Sequence, residues 1–175
     1  MNPTYELKDT SEVFTPALLF YKDLIRHNIA RAIEIAGSPS RLRPHAKTHK
    51  TREIIRMELE AGITKHKCAT LAEAEMLASC GVTDVLIAYP IVGPNCRRLA
   101  NLAKTYPKTQ FGALADSMAG VQQLSAAMAE ANQSVNAWLD VDVGMHRTGI
   151  APEEKAVMLY ETIARSPGLR PGGIH

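Results

Sequence analysis

Aliphatic and β-branched runs alternate along this chain with stretches whose apolar residues recur at helical spacing, the pattern of strands followed by amphipathic helices. A first strand is predicted at Ala17–Phe20. The helix after it carries Ile25, Ile29, Ala32, Ile33 and Ala36 on one face and stops at Gly37. A second strand at Leu42–Lys47 leads to a helix over Arg52–Ala61 that ends at Gly62. A third, Ile63–Ala69, precedes Thr70 and Glu73, which have the spacing of a capping box, and a helix to Gly81. Strand four is Asp84–Tyr89, closed by Pro90, and its helix starts after Pro94 and Asn95 and fades by Thr105. Strand five is Thr109–Leu114, with a helix over Ser117–Ala131. Strand six is Asn136–Val143. The next helix opens at Pro152, where Glu153 and Glu154 suit the positive end of the dipole, and a seventh strand begins near Leu169.

Strands alternating with helices at this spacing pair in parallel through right-handed crossovers. An open doubly wound sheet and a (β/α)8 barrel both fit. A complete barrel typically needs roughly 250 residues and eight strands. A chain of 175 residues that stops inside its seventh strand therefore reads as most of a barrel, truncated. Its open strand edge favours aggregation or pairing with another chain, so the chain alone is expected to be marginally stable and inactive. A complete seven-strand sheet fits the periodicity as well. No linker or second domain interrupts the pattern.

With 46% hydrophobic and 22% charged residues the composition is that of a globular domain, which excludes disorder and collagen-like structure. The net charge of +2 makes neither nucleic acid nor an anionic membrane an obligatory partner. The longest apolar stretch, around Val85–Val92, is far short of the ~20 residues of a bilayer span. Met1–Ser11 carries Glu6, Lys8, Asp9 and Thr10 where a secretory signal needs an apolar core, so a cytoplasmic protein is expected. Cys68, Cys80 and Cys96 are odd in number and widely spaced, which argues against a disulfide framework.

Chemistry is expected at the carboxyl ends of the strands, and two loops there stand out. The first, Arg41 to Lys50, crowds Arg43, His45, Lys47, His49 and Lys50 together. Like-charge repulsion and desolvation favour a neutral amine at Lys47, and a neutral amine attacks carbonyls. Pyridoxal 5'-phosphate (PLP) is the common carbonyl cofactor for a Schiff-base lysine. Alternation along a strand would place His45, Lys47 and His49 on one face, which favours Lys47 over Lys50. Standing alone, the segment reads more simply as a solvated basic loop. With 5% aromatic residues there is no stacking platform for nucleic acid. His45, His49, His66 and Cys68 offer nitrogen and sulfur donors, but their spacing matches no standard zinc signature and the surrounding cations oppose a dication.

The second loop runs from Asp140 to Gly149. Gly144 and Gly149 have the spacing of a P-loop, but Ile150 and Ala151 stand where that motif needs Lys and Ser or Thr. Nucleotide hydrolysis is not indicated. Arg147 is a planar donor suited to a phenolate or carboxylate, with Asp140 and Asp142 on one strand face to orient it. An ordinary Asp–Arg pair at the strand end is the simpler reading.

The segment Arg43–Thr51 resembles the cofactor-lysine motif of the D-threonine aldolase and D-serine dehydratase-like enzymes, PLP enzymes built on the alanine racemase type of N-terminal barrel. The likeness continues through Cys68–Glu75, Leu86–Pro94 and Asp142–Gly149, and covers Thr15 to the end. It implies a lead-in over residues 1–14 and, over residues 15–175, an incomplete PLP-binding (β/α)8 barrel of about six to seven βα units, with the family's C-terminal β domain absent. In that likeness Lys47 holds the cofactor, Arg147 faces the 3-hydroxyl side of its ring, and His45 and His49 line the pocket. The implied activity is a PLP-dependent lyase cleaving β-hydroxy D-amino acids, D-threonine to glycine and acetaldehyde. A D-serine dehydratase or an alanine racemase-like enzyme is the alternative within the family; a non-catalytic, partner-binding remnant is the alternative outside it. The family's divalent metal is held by the absent β domain, so no metal ligand is expected here. The implied partner is a small D-amino acid, with a homodimer in the full-length form and neither nucleic acid nor membrane.

Overall fold

The computed structural model describes residues 5–175. Five strands, β1 (Lys65–Cys68), β2 (Asp84–Pro90), β3 (Gln110–Ala115), β4 (Val135–Leu139) and β5 (Leu169–Ile174), form one sheet. Every pairing is parallel, and the spatial order β1-β2-β3-β4-β5 is the chain order. The helices are α1 (Lys22–Ala36), α2 (Arg52–Glu60), α3 (Leu71–Ser79), α4 (Pro94–Thr105), α5 (Met118–Glu130) and α6 (Glu154–Arg165). A doubly wound sheet reverses its order at a switch point; here each crossover steps to the next neighbour. The order is that of a barrel wall, with the helices on its convex side.

Local chemistry sets these boundaries. Gly37 takes the left-handed φ of 77° that ends α1. Thr70 Oγ1 accepts the Glu73 N–H at 3.2 Å to start α3, and the Glu73 carboxylate reaches back to the Ala69 N–H at 2.8 Å, one residue earlier than a regular capping box. Ser117 caps α5 through the Gly120 N–H, and Pro94 opens α4. One core lies between helices and sheet. Val85, Ile87, Phe111, Ala113 and Ala137 point outward from the strands to meet Leu77, Leu99, Leu124 and Ile163. The opposite, concave face is more polar: on β1 the buried His66 and Cys68 alternate with half-buried Lys65 and Lys67. Trp138 fills its centre, resting against Gly112, Gly172 and Gly173, where a Cβ at Gly112 would lie 3.1 Å from the indole Nε1.

The first two predicted strands do not form. Ala17–Phe20 is exposed and unpaired, with Leu18 77% accessible, because no strand lies beside it among the described residues. Leu42–Lys47 makes one parallel bridge, His45 to Lys67. Pro44 lacks the N–H a ladder needs, and the chain then tightens into a 3-10 turn at Ala46–Thr48. His45, Lys47 and His49 therefore share a capped turn and not a strand face. The predicted sixth strand also stops early, at Leu139, since Val141 pairs with Ile150 of its own loop. Among the described residues no helix is long and apolar enough to cross a membrane.

Candidate active site

Ala46, fully buried, anchors the turn that carries Lys47. Its carbonyl accepts the N–H groups of His49 at 3.3 Å and Lys50 at 2.8 Å. Two imidazoles act as caps: His45 Nδ1 accepts the Lys47 N–H at 3.3 Å, and His49 Nδ1 accepts the Thr51 N–H at 3.1 Å. Both roles need an unprotonated nitrogen. Both histidines titrate below their ordinary value, His45 through burial and then the charges of Lys47 and Lys67, His49 through burial, with His66 adding to it and Glu58 opposing. Lys50, at φ 48°, is tied down: its ammonium donates to the Lys47 carbonyl at 2.6 Å and lies 3.7 Å from Glu73. Lys47 is exposed, and its side chain makes no hydrogen bond or ion pair among the described residues. Arg43 is matched by Asp84, with two bonds of 2.7 Å, and serves to hold the turn to β2.

Asp142 organises the second loop. Its Oδ1 accepts the N–H groups of Gly144 and His146, each at 3.0 Å, and its Oδ2 lies 2.8 Å from His146 Nδ1. These donors, the His146 amide first, hold the carboxyl down at about 2. Gly149, at φ 100°, closes the loop where a Cβ would stand 2.6 Å from the Asp142 nitrogen, and its N–H donates to Asp116 at 3.2 Å. Arg147 projects into solvent from this frame. Neither Asp140 nor Asp142 pairs with it, contrary to the expectation from strand alternation. Asp140 is 4% accessible, its Oδ1 accepting from His175 Nδ1 at 2.8 Å and its Oδ2 unpartnered.

Of the nitrogen and sulfur donors His45, His49, His66 and Cys68, His49 feels the charges of Glu58 and His66, while His45 feels those of Lys47 and Lys67. His66 and Cys68 face the helices, where His66 Nε2 lies 3.0 Å from Glu58 and burial pushes the Cys68 thiol up to about 12. Among the described residues no three His, Cys, Asp or Glu side chains could hold a metal ion. All three cysteines are free thiols.

Sequence reasoning missed Lys67. This half-buried lysine lies on the concave face, and burial followed by the charges of Arg43 and Lys47 pushes its amine below the ordinary lysine value, while Asp140 works the other way. The signal was there in Lys65-His-Lys-Cys68, since two lysines alternating within a buried strand must share one face.

A concave parallel sheet that carries its unmatched cations at the carboxyl ends of its strands defines the class: an α/β barrel wall with an anion-attracting rim. The family described as alanine racemase, N-terminal domain, matches residues 22–175, and the chain belongs to it. The solved D-threonine aldolase of Filomicrobium marinum superposes with a TM-score of 0.85 at 32% identity, over 92% of this chain and 43% of that one. The D-threo-3-hydroxyaspartate dehydratase of Delftia sp. (strain HT23) is 29% identical over 164 residues, 91% of this chain and 42% of its own. The 3-hydroxy-D-aspartate aldolase of Paracoccus denitrificans is 29% identical over 169 residues, 95% of this chain and 43% of its own. The chain thus spans about two fifths of the length of the curated relatives it matches.

Proposed function

We propose that this chain supplies the lysine-bearing part of a PLP-dependent lyase that acts on β-hydroxy D-amino acids. The observation that carries the reading is Lys47: an amine without a partner among the described residues, on a turn fixed by two histidine caps beside the carboxyl end of β1. The rim suits an anionic carbonyl cofactor. Arg43 and Lys50 are already engaged by Asp84 and Glu73, which leaves Lys47, Lys67 and Arg147 to meet added negative charge. When bound, pyridoxal phosphate supplies an electron sink for the carbanion left at Cα. Lys47 is its covalent attachment point, His45 and His49 hold the turn and line the pocket, and Arg147 meets an anionic oxygen at the rim.

Cleavage between Cα and Cβ, as in the D-threonine aldolase type, and loss of the β-hydroxyl, as in the dehydratases, both begin from this arrangement. The relatives' names support the lyase reading over racemisation. The test is to add PLP to the chain, trap any lysine adduct with borohydride and map it by mass spectrometry. The adduct is expected on Lys47 and absent in Lys47→Ala. An adduct spread over surface lysines, or none, would sink the reading. Glycine release from D-threonine, with alanine interconversion as the control, separates lyase from racemase.

A further inference from the structure

Glu58 of α2 is 8% accessible, and the fully buried His66 of β1 engages one of its oxygens, Oε2, at 3.0 Å. The other ring nitrogen of His66, Nδ1, is buried without a partner. A neutral imidazole carries one proton, and buried N–H groups without partners are rarer than unused acceptor sites. The proton therefore sits on Nε2, and Glu58 accepts it. Among the described residues the second oxygen of Glu58, Oε1, makes no hydrogen bond or ion pair.

Glu58 lines a cavity of about 390 Å³ between α1 and α2. Ile25 and Ile29 of α1, Leu42, Ile54 of α2 and Ile63 give it apolar walls. All but Ile63 are only half-buried, and none of the 15 residues of α1 is buried, so this face of the helix has apolar surface to spare. Arg43 also lines the cavity, but its guanidinium is matched by two bonds of 2.7 Å to Asp84. Apolar walls, a volume of this size and few polar groups make up a small-molecule site.

We propose that this cavity binds a primary ammonium carried on a short aliphatic chain. A carboxylate this far buried is costly until a cation meets it. Because His66 holds Oε2, a single oxygen is open, which suits the point charge of an ammonium and not the two-pronged fork of a guanidinium. The isoleucines take the chain. The site lies on the helix side of β1, the side of His66 and not of Lys67, and does not depend on the lyase reading.

The test titrates the chain with hexylammonium, with 1-hexanol and hexanoate as controls of equal length, and follows the methyl NMR signals of Ile25, Ile29 and Ile54. Hexylammonium is expected to shift these signals and to bind roughly tenfold more tightly than hexanol, the scale of one hydrogen bond to a charged group. Hexanoate should bind more weakly than either. Glu58→Gln keeps an acceptor for His66 and should erase the preference for the ammonium while leaving hexanol unchanged. Ile29→Trp, on a helix face that is not fully buried, should fill the cavity and abolish binding of both, which keeps the proposal open to refutation if Glu58→Gln does not fold. Equal binding of hexylammonium and hexanol would overturn it, as would a preference that survives Glu58→Gln or binding that survives Ile29→Trp. Unmoved isoleucine signals would show that α1 closes on α2 in solution, and would overturn it too.

Discussion

The imidazole of His175 donates to Asp140 Oδ1 at 2.8 Å, so the residue that follows β5 supplies the hydrogen bond of a buried carboxyl group just after β4. The backbone of His175 is paired independently, its N–H to the Leu139 carbonyl and its carbonyl to the Val141 N–H. His175→Ala therefore removes the side-chain bond alone. It leaves both oxygens of a buried carboxylate without partners, a loss of about 1–3 kcal/mol. Urea unfolding of His175→Ala is expected to show that loss, and the Asp140→Asn, His175→Ala double variant should recover part of it. Equal stability of wild type and His175→Ala would mean that Asp140 finds another partner.

Mild acid should loosen the turn of Lys47. The histidine caps His45 and His49 have folded values below 6.5, so the native state prefers their neutral forms. Their contribution is fully present above the unfolded value of 6.5 and is lost as the pH falls through the lower folded values. The urea midpoint is expected to fall between neutrality and pH 5.5 or thereabouts. The slope should flatten in a His45→Asn, His49→Asn variant, whose caps do not titrate. An identical slope in both proteins would place the acid sensitivity elsewhere.

Most of the sheet was legible because β2 to β5 and their helices announce themselves twice, once by periodicity and once by a cap. Pro94 opens α4, Ser117 opens α5 and Gly37 closes α1, each where the pattern changes period. The first two strands were misread because an apolar run becomes a strand only beside a partner. Ala17–Phe20 has none among the described residues, and Pro44 limits Leu42–Lys47 to one bridge. Lys47 and Arg147 were visible as types in unusual loops. What the sequence could not display is which neighbouring charges cancel. The Arg43–Asp84 pair spans 41 positions, and the charges around Lys67, from Arg43 and Lys47 to Asp140, meet only in the fold.

The loop that presents Arg147 should come apart in strong acid and with a single added methyl. The Asp142 carboxyl titrates at about 2, below its ordinary 3.8. Its contribution is present above 3.8 and disappears as the pH falls through about 2. Hydrogen exchange at the Gly144 and His146 amides should accelerate in Asp142→Ala at neutral pH, and in wild type only below that window. Gly149→Ala meets the Asp142 backbone at a φ of 100° and is expected to cost of order 1–3 kcal/mol. Unchanged amide exchange in Asp142→Ala would show that the loop holds without its carboxylate.

Trp138 is the chain's one tryptophan, and it reports on the concave face directly. Its indole lies against Gly172 so closely that an ideal Cβ there would overlap the ring, and Gly112 approaches it from the β3 side. Gly172→Ala must therefore push the indole off the sheet, since neither β4 nor β5 can move without breaking its ladder. Overpacking of this kind typically costs about 1–3 kcal/mol. Emission should shift to the red as the ring gains water, and the thermal midpoint should fall. Trp138→Phe, which is smaller and keeps the apolar contact, should tolerate Gly172→Ala better than Trp138 does. If Gly172→Ala leaves emission and midpoint unchanged, the indole does not rest on β5 in solution.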